Sequence, residues 1–411
     1  MASHHGLGAV LVTGGAGFIG CHVAEALLKR GETVIIADEV NDYYDTQLKR
    51  RNLRYLKEAW GDQVKIYEGD ICDALFVEEM FVAEKPLNRV VHLAARAGVR
   101  PSIDDPFVYI HSNLEATTRL LEMARVHGCE HFVYASSSSV YGESNQEIFS
   151  ESDVVESPVS PYAATKKMCE LTAYTYHHLY GIPVAGLRFF TVYGPKGRPD
   201  MAPFKFVDWC MRGVPIKQFG DGSSSRDYTY IDDIVDGVVR CLDTPKGYQI
   251  YNLGNGNPIA LKKFIAIVEE CCGKKAVIDL QPMQPGDVPR TCANIDKAKA
   301  ELGYEPLTSF EDGIAKTVAW YVQEYAPQKA AQQEAKAAAE EAAKTQALQK
   351  AKGGGGGNTD TTLAPGGGGK GKDSGGGGGV RASSSSGSGT KPEQVHQLSS
   401  LAAEEPPTEG W

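Results

Sequence analysis

Residues 10–20 read Val-Leu-Val-Thr-Gly-Gly-Ala-Gly-Phe-Ile-Gly, an apolar run that ends in a cluster of glycines. Residues 21–30 continue with helical spacing, so the stretch predicts a strand, a tight turn and a helix. The glycines fit two registers, and either leaves backbone N–H groups at the helix N-terminus open to a pyrophosphate. We therefore predict a cradle for a dinucleotide. Its predicted contacts are Gly14, Gly17, Phe18, Ile19 and Gly20.

A carboxylate follows where the ribose of such a ligand would need it. The next apolar run, residues 33–37, ends at Asp38, and an acid about 20 residues beyond the turn is typical of a ribose ligand. Asp38 should accept hydrogen bonds from the adenosine ribose, and its negative charge would repel a 2′-phosphate. The expected cofactor is therefore NAD.

Length and charge bound the class of protein. The chain has 411 residues, 42% of them hydrophobic, and a net charge of −10. This is enough for two domains of about 150 residues each, and the charge argues against nucleic acid or an anionic membrane as the main partner. No apolar run reaches the roughly 20 residues that span a bilayer, and residues 1–8 are too short for a signal peptide's apolar region. We expect a cytoplasmic protein.

The nine cysteines are scattered and contain no C-x-x-C pair. We interpret them as reduced structural thiols rather than as a disulfide framework. No metal site is predicted.

Apolar runs and helical segments alternate as far as residue 188, which predicts an α/β fold with a Rossmann-type doubly wound parallel sheet. Ligands of this fold bind at the carboxyl ends of the strands. There Asp70 and Ile71 are predicted to hold the adenine, although a helix N-cap role is nearly as well supported for Asp70. Ala94 is small enough to let the cofactor pass close by. The polar aromatic segment 41–45 is interpreted as a surface loop beside the adenosine.

Beyond residue 190 the alternation loosens, with further helices predicted at residues 232–242, 261–272 and 310–325. We assign residues 1–190 to an NAD-binding domain, residues 191–326 to a smaller C-terminal substrate-capping domain, and residues 327–411 to a low-complexity tail. The Ala, Glu, Lys and Gln content up to residue 352 predicts a solvated helix. The Gly and Ser runs after it predict disorder.

Tyr162 and Lys166 form the candidate catalytic pair. They begin a predicted helix at positions i and i+4, on one face. Free tyrosine, with a pKa of about 10, is a weak base at neutral pH, but a neighbouring ammonium and a positive nicotinamide both favour phenolate. The same spacing at Tyr325 and Lys329 is discounted for its internal proline and its place at the tail. Ser137, in the serine run that closes strand 131–135, is predicted to share the substrate oxygen with Tyr162.

From about residue 8 to residue 325 the chain resembles the extended short-chain dehydrogenase/reductase family, and within it the branch that acts on UDP-glucuronate. Six blocks carry the resemblance in order: NDYYD at 41–45, HLAARAGVR at 92–100, RFFTVYGP at 188–195, GRPDM at 197–201, RDYTYIDD at 226–233 and MQPGDV at 283–288. The resemblance implies tightly bound NAD and reversible C4 epimerisation of UDP-glucuronate to UDP-galacturonate through a 4-keto sugar. It also implies a homodimer formed by helices 106–126 and 161–180.

Sister families differ at a few positions. Nucleotide-sugar 4,6-dehydratases carry Asp-Glu where this chain has Ser138 and Ser139, UDP-glucuronate decarboxylases usually place Glu at the Ser139 position, and UDP-glucose 4-epimerases place Asn at the Thr191 position. The last two remain the alternatives on this scaffold. A redox-inert NAD-binding scaffold is a further one, against which the intact Ser137, Tyr162 and Lys166 argue. Glu39 and Arg96 depart from the Asn and Gln of the branch itself.

The carboxylate of the substrate needs its own binding group, because a 4-keto uronate is a β-keto acid that loses CO2 readily. We predict that Ser138, Ser139, Thr191 and Arg198 hold it, with a charge-assisted bond from Arg198. The remaining predicted substrate contacts are Val99 and Arg100, Arg226 at the UDP pyrophosphate, and Asp287 and Arg290 as weaker nucleotide-side candidates.

Overall fold

The computed structural model of the chain describes residues 9–353 except residue 145 and residues 283–289, with side chains as far as residue 347. A seven-stranded parallel sheet runs through the compact unit that ends at Lys329. Its spatial order is β11-β6-β5-β4-β1-β2-β3. The strands are β1 Ala9–Thr13, β2 Val34–Asp38, β3 Val64–Glu68, β4 Leu87–His92, β5 His131–Ser137, β6 Val184–Phe189, β7 Thr191–Tyr193, β8 Ile216–Phe219, β9 Ser225–Arg226, β10 Tyr228–Tyr230, β11 Tyr248–Leu253, β12 Ile259–Ala260 and β13 Ile278–Gln281. The predicted doubly wound sheet is confirmed.

The helices connect the strands on both faces of the sheet. They are α1 Phe18–Lys29, α2 Thr46–Trp60, α3 Ala74–Ala83, α4 Pro101–Asp104, α5 Pro106–Tyr109, α6 Ala116–His127, α7 Pro161–Tyr180, α8 Ala202–Arg212, α9 Ile231–Leu242, α10 Leu261–Cys272, α11 Asp296–Leu302, α12 Phe310–Trp320 and α13 Ala326–Gly353. Short 3₁₀ turns lie at Gly61–Gln63 and Ser138–Tyr141, and π-helical turns at Ile110–Glu115 and Tyr321–Tyr325.

Alternation along β1 shows how the two layers form. Val10 and Val12 are buried in one hydrophobic cluster, with Val23 and Leu27 of α1. Leu11 points to the other face and is buried in a second cluster, with Leu120 of α6. Successive strand side chains point to opposite faces, so an all-apolar strand needs helices on both sides.

The sheet also uses a strand that the sequence pattern did not indicate. β11 pairs in parallel with β6 at the edge of the sheet, from Tyr248 opposite Val184 to Leu253 opposite Phe189. β11 comes from the region assigned to the substrate-capping domain, so that region contributes a strand to the seven-stranded sheet. The division at residue 190 stays a prediction.

The predicted helix 106–126 is interrupted. α5 and α6 are joined by the π-helical turn Ile110–Glu115, in which the side chain of Asn113 is 1% exposed. Its amide donates to the Thr165 hydroxyl at 3.0 Å and to the Arg96 carbonyl at 3.0 Å. A π turn often marks a functional site, and here it ties the helix to α7 and to the loop after β4.

The helix predicted for residues 327–352 is confirmed as α13, and residues 330–347 are exposed along almost their whole length. Its first turn belongs to the compact unit, because that unit ends at Lys329. The Lys329 ammonium lies 2.9 Å from a carboxylate oxygen of Asp45. The Gly- and Ser-rich remainder, residues 354–411, lies outside the described residues. Among those described, no helix is long and apolar enough to cross a membrane.

Candidate active site

The turn between β1 and α1 is shaped for close approach of a ligand. Gly14 has φ +71°, and a Cβ there would lie 2.7 Å from the Ala94 nitrogen. A Cβ on Gly20 would overlap the Gly14 carbonyl oxygen. Gly17 caps α1 without a side-chain hydrogen bond, and the first turn of α1 holds no acid. The helix N–H groups are therefore left for an anion, and this cradle fits the pyrophosphate of a dinucleotide.

Asp38 ends β2 beside this turn, as predicted. Its carboxylate accepts hydrogen bonds from the backbone nitrogens of Ala16, at 3.0 Å, and Val40, at 2.8 Å. Burial raises its pKa in spite of these bonds. Val40 has φ +48°, a costly conformation for a β-branched residue, and its bond to Asp38 helps to hold it. The carboxylate is thus fixed in orientation, with lone pairs left for a ribose.

Asp70 follows β3, and its carboxylate bonds to the Cys72 nitrogen at 2.8 Å and to His111 Nε2 at 2.8 Å. The N-cap of α3 is Asp73, which accepts from the backbone nitrogen of Leu75. The alternative reading of Asp70 as a helix N-cap is therefore wrong. The adenine role of Asp70 and of the neighbouring Ile71, which is 7% exposed, stays a prediction.

Ala94 lies where β4 leaves the sheet, against the phosphate turn. Its nitrogen donates to the Thr13 hydroxyl at 3.2 Å, and the same oxygen lies 2.7 Å from His92 Nδ1. Burial lowers the pKa of His92 to about 3, so this ring is neutral. His92 therefore links the carboxyl ends of β1 and β4 by a hydrogen bond and adds no charge beside the glycine turn.

The candidate catalytic residues all lie at the carboxyl edge of the sheet. Tyr162 is in the first turn of α7, which Ser160 caps by accepting from the Ala163 nitrogen at 3.1 Å. Lys166, 4% exposed, donates to the Ala135 carbonyl oxygen at 2.9 Å. Ser137 ends β5, and α7 packs against that strand and the following 3₁₀ turn. A phenol, a hydroxyl and an ammonium on one strand–helix unit can move a proton to and from a sugar hydroxyl. These three roles stay predictions.

The predicted substrate residues lie in the loops that leave the same edge. Ser138 and Ser139 form the 3₁₀ turn, and the Ser139 nitrogen donates to the Ser137 hydroxyl at 3.2 Å. Thr191 opens β7, anchored by its N–H to the Asp227 carbonyl at 3.1 Å. The others are Val99, 40% exposed, Arg100, which precedes α4, Arg226 in β9, and Arg290, which bridges to Ser225. Asp287 lies outside the described residues.

Arg198 already has a carboxylate partner that sequence reasoning missed. Its Nε and Nη2 donate to the two oxygens of Asp200 at 3.0 and 2.6 Å. The signal was present, since both residues belong to the block GRPDM. The guanidinium is therefore held in one orientation before any substrate binds.

Residues 41–45 form a loop with no fully buried residue, as predicted, but Tyr43 within it makes contacts that the sequence did not indicate. The Tyr43 hydroxyl donates to the Ala97 carbonyl at 2.5 Å and accepts from Arg198 Nη2 at 3.4 Å. Its ring lies 5.3 Å from the Arg198 guanidinium and 5.7 Å from that of Arg96. The aromatic pair inside NDYYD was the available signal. Tyr43 connects the loops after β2 and β4 with the Arg198 segment.

The two departures from the branch, Glu39 and Arg96, meet in space. Arg96 Nη2 lies 3.8 Å from a carboxylate oxygen of Glu39. The two side chains are therefore close enough to form an ion pair, and Glu39 directly follows Asp38 in the chain.

Comparison with known proteins finds similar chains over most of this sequence. The family model described as GDP-mannose 4,6 dehydratase matches residues 11–317. A UDP-glucuronate 4-epimerase of Thermodesulfobacterium geofontis is 47% identical over 315 residues, which cover 76% of this chain and 96% of that protein. UDP-glucuronate 4-epimerase 4 of Arabidopsis thaliana is 45% identical, covering 78% and 77%. The crystal structure of UDP-glucuronic acid 4-epimerase from Bacillus cereus with UDP-glucuronic acid and NAD superposes with a TM-score of 0.70 at 34% identity, covering 77% of this chain and 99% of that one.

Proposed function

We infer the reaction from the family, because the chain belongs to the UDP-glucuronate 4-epimerases, within the group matched by the GDP-mannose 4,6-dehydratase model. It interconverts UDP-glucuronate and UDP-galacturonate by inverting C4, with NAD as its cofactor. The observation that carries this inference is the 47% identity that extends over 96% of a UDP-glucuronate 4-epimerase.

We assign the proton transfer to Tyr162. Its phenolate, favoured by the Lys166 ammonium one helical turn away, takes the proton of the C4 hydroxyl. The Ser137 hydroxyl bridges the same oxygen, which shortens the path of the proton. When bound, NAD would take a hydride from C4 and return it to the opposite face after the 4-keto sugar has turned over in the site, which would invert the configuration at C4. Tyr162 returns the proton to the C4 oxygen in that second half of the reaction.

The residues predicted to hold the substrate carboxylate, which we call the clamp, have a task besides binding. They should prevent the loss of CO2. Decarboxylation of a β-keto acid requires the breaking C–C bond to stand perpendicular to the carbonyl plane. The hydroxyls of Ser138, Ser139 and Thr191 and the guanidinium of Arg198 would hold the carboxylate away from that geometry. The clamp thus separates an epimerase from a decarboxylase on one scaffold.

A product assay tests the function directly. Purified protein is incubated with UDP-glucuronate, and the nucleotide sugars are separated by anion-exchange chromatography and identified by NMR. UDP-galacturonate is the expected product. UDP-pentose as the main product would favour a decarboxylase, and turnover of UDP-glucose in preference to UDP-glucuronate would favour a UDP-glucose 4-epimerase.

Tyr162→Phe tests the assignment of the base. The variant keeps the ring, so it should fold and retain NAD, and it should lose on the order of a hundredfold or more in kcat. Tyr325→Phe is the matched control, because Tyr325 has the same spacing to a lysine at the start of the tail and should turn over normally. Near-normal turnover by folded Tyr162→Phe would remove Tyr162 from the mechanism.

We further propose that the chain acts as a cytoplasmic homodimer. The predicted dimer helices expose apolar side chains, among them Phe107 at 78%, Leu171 at 57% and Tyr174 at 51%. Such a surface is what a second copy of the chain would cover. All nine cysteines lie in the described part of the chain and are unpaired thiols, as in a reducing compartment.

Light scattering at working concentration tests the dimer. The wild type should have twice the mass of the chain, and Leu171→Glu should shift it to the monomer. Leu75→Glu is the control, because Leu75 is 69% exposed on α3, outside the two dimer helices. A monomeric wild type would count against the proposal.

A further inference from the structure

A buried ion pair lies directly behind the candidate catalytic residues. Glu170, on α7, is 1% exposed, and Arg188, on β6, is 2% exposed. Arg188 Nε and Nη2 donate to the two carboxylate oxygens of Glu170 at 2.8 and 2.9 Å. A buried pair of this kind is weak evidence for stability, because desolvation of both charges offsets their attraction. Its position in the fold suggests a different use.

The pair belongs to a set of contacts that fastens α7 to the end of β5. Ala135 accepts from the Lys166 ammonium at 2.9 Å, and the next residue, Ser136, donates its hydroxyl to Glu170 at 2.7 Å. Ser137 follows immediately. Ser136 also lies opposite Arg188 in the β5–β6 register. Two successive strand residues thus hold two helix residues one turn apart, and this sets where the helix stands relative to Ser137.

The pair also separates charges. Glu170 lies four residues after Lys166, so their side chains are neighbours on one face of the helix. Its carboxylate is occupied by Arg188 and by Lys167, whose ammonium lies at 3.2 Å. Among the contacts of the described residues, the Lys166 ammonium has only the Ala135 carbonyl. Its positive charge therefore remains available to the phenol of Tyr162.

We propose that Arg188 and Glu170 are positioning residues for the C4 proton transfer: they hold α7 against the end of β5 and keep the Lys166 ammonium free to favour the Tyr162 phenolate. The proposal deepens the proposed function and rests on Tyr162 being the base. Without Arg188, the carboxylate of Glu170 would compete with Tyr162 for Lys166.

Other groups around the pair do not replace Arg188. The Tyr141 ring lies 4.8 Å from the Arg188 guanidinium, and the Tyr248 hydroxyl donates to the backbone carbonyl of Glu170 at 3.2 Å. Glu151, the next carboxylate near Arg188, accepts from the Asn252 nitrogen at 2.7 Å.

Apart from Glu170, the described groups next to the Lys166 ammonium carry no charge that could pair with it. His92, from β4, is neutral, and the Cys169 thiol contacts the Thr117 hydroxyl at 3.4 Å. Removal of Arg188 therefore leaves Lys167 and Lys166 as the cations nearest to Glu170.

The experiment measures the pH dependence of kcat, and KM for UDP-glucuronate, in Arg188→Met, Glu170→Gln and the double variant. Arg188→Met should move the acid limb of kcat upwards by about one pH unit, because the uncompensated carboxylate of Glu170 disfavours the Tyr162 phenolate and a neighbouring like charge typically shifts a pKa by about one unit or more. KM should change little. In the double variant the limb should return to the wild-type pH, because the carboxylate whose charge Arg188 balances is removed together with Arg188.

Arg89→Met is the matched control. Arg89 and Glu32 form another buried ion pair, at 2.5 Å, with Arg89 near the amino end of β4. Its loss should lower the melting temperature and leave the pH limb where it was. A purely structural role would make Arg188→Met behave in the same way.

Ser136→Ala keeps the inference testable if Arg188→Met does not fold. It removes one anchoring hydrogen bond and no charge, so kcat should fall several-fold with KM and the acid limb unchanged. The inference would be overturned if folded Arg188→Met kept the wild-type acid limb, or if the double variant did not restore that limb. A wild-type kcat in Ser136→Ala would overturn it as well. A wild type that does not epimerise, or an active Tyr162→Phe, would instead overturn the proposed function.

Discussion

Substitution of Arg198 by alanine should change both the affinity for UDP-glucuronate and the product. The guanidinium uses Nε and Nη2 for Asp200 and Tyr43. Within the described residues its Nη1 makes no hydrogen bond, so Nη1 can donate to the substrate carboxylate. Because Asp200 fixes the guanidinium beforehand, little side-chain entropy is lost when substrate binds.

The magnitude follows from the type of bond. A hydrogen bond to a charged group contributes about 1.5–3 kcal/mol, so its loss should weaken substrate binding by roughly ten- to a hundredfold. The Asp200 side chain is 36% exposed and can be solvated when its partner is removed. The lost pairing with Asp200 should therefore cost the fold no more than about 1 kcal/mol.

Loss of the clamp should also let the 4-keto sugar lose its carboxylate. The freed group can rotate until its C–C bond stands perpendicular to the ketone, whereupon CO2 leaves and the enolate takes up a proton. We expect some UDP-4-keto-pentose, with NADH left on the enzyme. Mass spectrometry identifies the sugar nucleotide, and absorbance at the reduced nicotinamide band measures NADH.

Asp200→Asn is the matched control, because it keeps the guanidinium and removes only its anchor. It should bind UDP-glucuronate within a few-fold of the wild type and release no decarboxylated product. If Arg198→Ala keeps wild-type affinity and makes UDP-galacturonate alone, Arg198 is not part of the clamp.

Two further outcomes concern the tail and the adenine side. Deletion of residues 330–411 should leave kcat and the melting temperature unchanged, and a large loss of activity would contradict the boundary at Lys329. Lys329→Ala breaks the half-exposed pair with Asp45, so it should lower the free energy of unfolding in urea by about 0.5–1 kcal/mol. The hydrogen bond to Asp70 raises the pKa of His111 above its ordinary value, so the stability that it contributes is complete below about pH 6.5 and is lost as the pH rises through the folded pKa. His111→Gln should therefore destabilise the protein more at pH 5.5 than at pH 8.5, and an equal effect at both would refute the coupling.

The strand–turn–helix unit at residues 9–29 could be predicted because its signals are local. The glycine turn, the strand before it and Asp38 lie within 30 residues, and each depends on backbone geometry that short patterns encode. Tyr162 and Lys166 share a helix, where four residues place them on one face whatever the rest of the fold does. The sheet followed as well, since apolar strands alternating with helices allow few other arrangements.

Contacts between distant segments decided the rest. The sequence by itself determined the glycine turn, the place of Asp38 at the end of β2, the strand–helix alternation and the Tyr–Lys spacing, because residues a few positions apart are neighbours in any folded form of that segment. Only the tertiary structure brought Tyr43 to Arg198, Glu39 to Arg96 and Glu170 to Arg188, and placed β11 at the edge of the sheet. These pairs join loops and strands that are near each other only because of the order of the strands in the sheet. A charged side chain can be buried only where that order places an opposite charge beside it.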